Sequence, residues 1–442
     1  MFMQYPAGRL LLIFTFVVMC ENLHGQFLMD MIDTTKELGR SNFETMNRLN
    51  HITISGYMQP QFQMASEKGA KSYSGGDFSP NANNRFMLRR GRIRFDYART
   101  DEQQRNQFQF AFQFDGTERG VFIRDFWGRY WENKWEKLAF TTGMFARPFG
   151  FEVNLSSGDR ETPERGRMSQ ILMRTERDLG FMATVENRRK EGAGKFFRID
   201  AGIFNGQGLT APGEFDSYKD FIGQVVLKPQ VIARNLSFGG GISILQGGLV
   251  QNANYSYRIS DQNGTKLFLA DSVTSGAGGK LPRQYYGVNS QVKYKMKWGF
   301  TELRAEYWRG TQTGTETSSE TPSSVALSAD GKYAPLYVRP FHGGFLYFLQ
   351  NIFNTSHQLM VKYDWYDPNT KADGILIGSP SSNFSEADIK FSTLGAGYIY
   401  HINSNLKILL YYEWVNNEHT TLPGYTSDLS DNILTVRTQF RF

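Results

Sequence analysis

Arg90-Gly-Arg-Ile-Arg94 places three guanidiniums on one side of an extended segment, about 6.6 Å apart along the strand. Like charges at that spacing repel. They need acidic partners across a cavity, or a mobile anion that exchanges one guanidinium for the next. Arginine suits such exchange because its planar fork matches the oxygens of phosphate or carboxylate. Several moderate sites in a row permit flux where one deep site would trap the solute. Lys293, Lys295 and Lys297 repeat the spacing in a second segment, and Arg304, Arg437 and Arg441 share the same parity in others.

Those cations are held by alternation. In Gln107–Asp115 the residues Phe108, Phe110, Phe112 and Phe114 oppose Gln107, Gln109, Gln113 and Asp115. In 291–298 Val292, Tyr294, Met296 and Trp298 oppose the three lysines. In 406–414 Leu406, Ile408, Leu410, Tyr412 and Trp414 oppose Lys407 and Glu413, and the final segment alternates to a terminal Phe442. One such strand fits an ordinary antiparallel sheet over a core. Its recurrence along the chain fits strands with one face in lipid and the other lining water.

Sixteen segments follow this pattern: 52–64, 85–98, 107–115, 121–131, 138–147, 178–186, 196–205, 218–228, 235–245, 285–298, 301–310, 341–352, 357–366, 389–402, 406–415 and 431–442. Short connections alternate with long ones such as 65–84, 148–177, 246–284 and 311–340, as periplasmic turns and outer loops would. The expected fold is all-β, a closed transmembrane antiparallel barrel of about sixteen strands in the bacterial outer membrane. Closure also removes the edges that so many strands would expose. Trp298, Trp365 and Trp414, near segment ends, suit an interfacial belt.

Of the 442 residues, 40% are hydrophobic and 15% aromatic, yet the net charge is +6. Apolar residues spread one in two give that combination. Residues 1–25 read as a secretory signal, with Arg9 ahead of Leu10–Met19 and a small residue at Gly25. Residues 26–50 read as an N-terminal periplasmic segment and 51–442 as the barrel. Cys20 is the only cysteine, so a chain cut after Gly25 has no disulfide, thiolate nucleophile or sulfur ligand. The positive charge is dispersed along strands rather than gathered in a basic helix or stripe, which argues against nucleic acid. His342, His357, His401 and His419 fall in separate segments without metal-ligand spacing, and no serine elbow lies beside them. Neither an enzyme, a metal nor a cofactor is expected.

If the charged parity faces a lumen, eleven basic residues, including Lys362 and Lys407, stand against Asp96, Asp115, Glu302, Glu306, Asp364 and Glu413. Two readings stay open: an anion ladder, or charges that solvate the wall and pair with those acids. Segment 148–177 is the candidate constriction loop. It carries Arg160, Arg165, Arg167 and Arg174 with Glu152, Asp159, Glu161 and Glu164, nearly balanced and without lysine.

Ile54-Ser-Gly-Tyr-Met-Gln59, Arg89–Arg94, Gly143-Met-Phe-Ala-Arg-Pro-Phe-Gly-Phe-Glu152, Gly202-Ile-Phe-Asn-Gly206 and Gly223-Gln-Val-Val-Leu-Lys-Pro229 resemble the phosphate-selective porin O and P family, in its Bacteroidetes-type form. The resemblance implies a sixteen-stranded porin, usually a homotrimer, that passes small anions and polar solutes by diffusion. It also implies that Arg90, Arg92 and Arg94 belong to an arginine-rich wall. The lysines that phosphate-selective members carry on the constriction loop are absent here. The alternative is a barrel acting as a structural or accessory subunit, associated with other outer-membrane proteins in a larger surface assembly.

Overall fold

The computed structural model describes residues 51–442, except 190, 191, 193, 210–212, 272–276 and 354. The proposed signal and periplasmic segments lie outside the described residues. Residues Ile54–Phe442 form one compact unit, the barrel.

Its wall is built from β1 (Ile52–Ala65), β2 (Asn84–Thr100), β3 (Asn106–Thr117), β4 (Gly120–Trp131), β5 (Leu138–Ala146), β6 (Arg177–Glu186), β7 (Phe197–Phe204), β8 (Asp220–Ala233) and β9 (Leu236–Gln251). It continues through β12 (Gly279–Met296), β13 (Gly299–Gly314), β14 (Tyr337–Asn351), β15 (His357–Asp367), β16 (Phe391–His401), β17 (Leu406–Asn417) and β18 (Ile433–Arg441). Neighbours pair antiparallel, and β18 returns to β1 with Met58 opposite Phe440 and Phe62 opposite Val436. The backbones of Gly56 and Phe442 exchange two hydrogen bonds, 3.1 and 3.0 Å, at the end of that seam. The result is a closed sixteen-stranded antiparallel transmembrane barrel, the fold typical of bacterial outer-membrane proteins. No described helix is long and apolar enough to cross a membrane.

Two further strands, β10 (Ser256–Gln262) and β11 (Thr265–Asp271), form a hairpin inside the long connection from β9 to β12. The sequence reading treats 246–284 as plain loop. In the structure β9 and β12 also run further, pairing from Gln251 opposite Gly279 down to Leu236 opposite Tyr294.

The alternation has its expected consequence. Phe110 and Phe114 are exposed on the outside of β3, whereas Gln113 is buried inside. Ile54, Met58, Phe126, Phe140, Phe181, Leu346, Leu410 and Phe440 are likewise exposed on other strands. An apolar band of this extent on a closed barrel is a lipid-facing surface. The lumen side is polar on β1, where Gln59, Gln61 and Gln63 are buried, but apolar on β14, where Phe341, Phe345, Tyr347 and Leu349 point inward.

Those inward apolar residues have a partner. The connection between β5 and β6 folds into the barrel, where Phe149, Val153 and a short helix, α1 (Arg167–Leu172), bury their apolar faces. Met168, Ile171 and Leu172 of α1 join Phe204, Ile222, Leu245, Tyr285, Trp308 and Phe341 of the wall in one cluster. Phe149 sits edge-on to Trp308, ring centres 4.7 Å apart, and to Tyr285 at 6.1 Å. This is a dry core built inside a barrel.

A charged constriction inside the barrel

Segment 148–177 enters the lumen through Gly150. Its φ of +67° is left-handed, and a Cβ there would collide with the Glu306 carboxylate of β13. The turn lets the Phe151 and Glu152 amides donate to the two Glu306 oxygens at 2.8 and 2.9 Å, with Trp308 Nε1 donating at 2.7 Å. Gly150 also donates to Ser243 Oγ of β9, and Gln224 of β8 donates to the Gly150 carbonyl.

Next to that anchor the loop makes further contacts with β13 and β15. Glu152 pairs with Lys362 of β15 and accepts from Ser169 Oγ at 2.6 Å and the Gly166 amide at 3.0 Å. Arg304 of β13 donates to both oxygens of Glu161 at 2.8 and 3.0 Å, and to Glu302 at 2.6 Å. On the far side Ser157 meets Tyr57, Gln59 and Arg92, while Lys407 of β17 donates to the Gly158 and Arg160 carbonyls. Arg441 of β18 reaches Asp159 at 2.6 Å.

Two carboxylates of the loop are each surrounded by three arginines. Glu164 binds Arg90 at 2.5 Å, Arg89 at 2.9 Å and Arg437 at 3.1 Å. Glu176 binds Arg124 at 2.7 Å, Arg165 at 3.3 Å and Arg177 at 3.7 Å. Burial would raise both acids, but the guanidiniums outweigh it and hold each carboxyl well below the usual carboxylate range. Three guanidiniums against one carboxylate leave a surplus of two positive charges around Glu164. Arg160 adds to that side: it is buried, donates only to the Leu155 carbonyl, and has no carboxylate within ion-pair distance among the described residues. Burial, then repulsion from Arg90, lowers it to about 10.

The remaining wall cations fall into distinct settings. Arg92 binds Asp115 at 3.0 Å as well as Tyr57 and Ser157. Arg94 binds Asp96 at 2.6 Å and lies over the Trp127 ring. Lys293 sits 3.9 Å above Phe300, Lys295 is exposed, and Lys297 falls in the turn after β12 rather than on its lumen row. On the loop, Arg165 also caps carbonyls of Ser169 and Met173, Arg174 reaches out to Glu320, and Arg167 lies over the rings of Tyr73 and Phe391. Arg90, Arg92, Arg94, Arg304, Arg437 and Arg441 are therefore joined to acids rather than bare, and the loop supplies many of those acids.

Sequence reasoning missed Arg89, Arg124, Asp125 and Glu176 as parts of the site. Arg89 and Arg90 are adjacent yet both reach Glu164, which strict alternation forbids. Arg124 is the extra residue of a bulge in β4, where Gln113 pairs with Asp125 and Phe114 with Ile123. The runs Arg89-Arg90 and Arg124-Asp125 were visible as breaks in period two. No group of His, Cys, Asp and Glu among the described residues has the arrangement of a metal site.

No family model and no curated protein matches this chain. Among solved structures it is similar to a loop-deletion mutant of OmpT, an outer membrane protein of Vibrio cholerae, with 10% identity, a TM-score of 0.48, and coverage of 88% of this chain and 99% of that one. It is also similar to a triple mutant of the Rhodopseudomonas blastica porin, with 11% identity, a TM-score of 0.42, and coverage of 88% and 100%.

Proposed function

We propose that this barrel is a pore of the porin O and P type, passing small anions and polar solutes by diffusion through a lumen narrowed by 148–177. The observation that carries this reading is the charge surplus around Glu164, where Arg89, Arg90 and Arg437 share one carboxylate. A passing anion meets guanidiniums that are already oriented and incompletely neutralised, which favours entry without deep trapping. Because the wall arginines are paired, the preference for anions is modest and phosphate is one permeant among several. The pore carries out no catalysis, and a homotrimer is its expected assembly.

A second reading is favoured by the apolar cluster around Phe149, Ile171 and Trp308, since a water-filled conduit has no need of a dry core. On that reading the barrel is a structural or accessory subunit of a larger surface assembly. Planar-bilayer recording of the reconstituted protein separates the two. Stepwise conductance with anion preference supports the pore, and Arg92→Glu with Arg94→Glu should then lower the anion-to-cation permeability ratio. Silence in the intact protein, with conductance appearing only after residues 152–166 are deleted, supports the accessory role.

A further inference from the structure

A cavity of about 190 Å³ opens at the long-loop end of the barrel, between α1 and the loops that precede β2, β14, β16 and β18. Its charged lining consists of Lys71, Arg167, Glu320, Glu386 and Asp431. Three of these are satisfied within the protein: Lys71 pairs with Glu386 at 3.7 Å, and Glu320 with Arg174 at 3.1 Å. Arg167 and Asp431 are not.

The Arg167 guanidinium lies over two rings, 3.6 Å from the centre of Phe391 and 4.7 Å from that of Tyr73. Two rings thus lie against the group, while its side-chain N–H groups make no hydrogen bond to any described residue. Stacking of this kind fixes the plane of the fork and leaves it ready for a planar bidentate acceptor. Asp431 is 4% exposed and accepts no hydrogen bond from another described residue; its Oδ1 is sealed without a partner. A buried carboxylate in that condition is costly unless something supplies a donor. The two groups line the same cavity, and also a smaller one of about 30 Å³ beside it, without approaching to ion-pair distance. Asp364 and Glu413 also line the smaller cavity, and none of these three acids comes within ion-pair distance of Arg167.

An unpaired guanidinium and an unpaired carboxylate separated across one small cavity match a ligand carrying both charges. The volume corresponds to about six waters, well below that of a drug-sized pocket. We propose that this cavity binds a small amino-acid-type zwitterion, its carboxylate on Arg167 and its ammonium on Asp431. Thr317, Ser318 and Ser319 offer hydroxyl and backbone groups along the lining between them. The site makes no demand on conduction, so it stands or falls separately from the pore.

Calorimetric titration of the full chain in detergent micelles with L-alanine, acetate and methylammonium tests it. L-alanine should bind at least tenfold more tightly than either single-charge probe, and Arg167→Gln or Asp431→Asn should each remove at least tenfold of that affinity. Acetate binding as well as L-alanine would reduce the cavity to an anion site and overturn the proposal, as would heat from none of the three. Folding of each variant is checked by the gel shift of unheated barrel; if neither folds, the three-probe comparison on the unmodified chain still decides.

Discussion

Arg90 Nη1 and Nη2 lie 2.8 and 2.5 Å from the two oxygens of Glu164, a bidentate pair buried within the lumen. The pair joins β2 to the tip of the inward loop, and Arg437 brings β18 to the same carboxylate. Glu164 therefore fastens the loop across the barrel seam. Glu164→Gln leaves three guanidiniums buried around a neutral amide, and loss of one partner of a buried pair typically costs about 3–5 kcal/mol. Unfolding of the variant in lipid vesicles should show that loss, together with faster protease cleavage between 152 and 166. Unchanged stability would mean that water takes the place of the acid and that the cluster is not structural.

The same carboxylate sets an acid limit. Glu164 and Glu176 titrate well below their ordinary value of 4.5 in the folded protein. A depressed native pKa means that the unfolded chain binds more protons, so stability rises with pH through this range. The contribution is complete above about 4.5 and is lost progressively as pH falls from there through the lower native values. Loop protection from protease should thus persist from pH 7 to pH 4 and fail in stronger acid. In Glu164→Gln that acid transition should be weaker.

Gly150→Ala addresses the other end of the loop. A left-handed φ costs a residue with a Cβ about 1 kcal/mol or more, and here the Cβ would also meet Glu306 and approach Trp308 within 2.9 Å. A total of about 2–4 kcal/mol is expected. The loop should detach from β13 while the wall remains closed, giving larger conductance or easier proteolysis with an unaltered β-sheet circular dichroism spectrum.

The wall was legible in the sequence wherever one face differs chemically from the other. Phe108–Phe114 against Gln107–Asp115 and Leu434–Phe440 against Thr435–Arg441 each mark a strand with one apolar face, and their recurrence along the chain points to the barrel. On β14 both parities are apolar, with Phe341 and Phe345 inside and Leu346 and Phe348 outside, so period alone could not say that α1 would cover the inner row. The hairpin of β10 and β11 was hidden for another reason: its strands are only seven residues each within a long connection, and its apolar residues Tyr257, Ile259 and Phe268 are covered by Tyr337, Ile377 and Phe384 from elsewhere in the chain. At the site, the inventory of arginines and acids was legible, and pairing of wall arginines with Asp96, Asp115 and Glu302 was one of the two open readings, but their pairing with acids of the loop was not legible. Glu164 meets β2 and β18 because the loop crosses the lumen, a fact of tertiary structure. Arg124 was lost to a bulge, which shifts parity by one residue and turns an outward position inward, and Arg89 because it reaches Glu164 from the parity opposite to Arg90.

Asp431 behaves in the opposite sense to Glu164. Burial first, then the neighbouring Asp428, raises its carboxyl from 3.8 to about 6 despite the pull of Arg167. The folded state then binds more protons than the unfolded chain between those values, so stability declines as pH rises through that window. At pH 7 the whole penalty is present. Asp431→Asn should therefore be more stable than the unmodified protein at pH 7, by roughly 1–2 kcal/mol, with the advantage vanishing near pH 4. Saturating L-alanine supplies an ammonium to the carboxylate and stabilises only the chain that binds it, so it should narrow or reverse the gap at pH 7. Acetate should not. An advantage for asparagine that L-alanine leaves untouched would make Asp431 a strained acid with no ligand to receive.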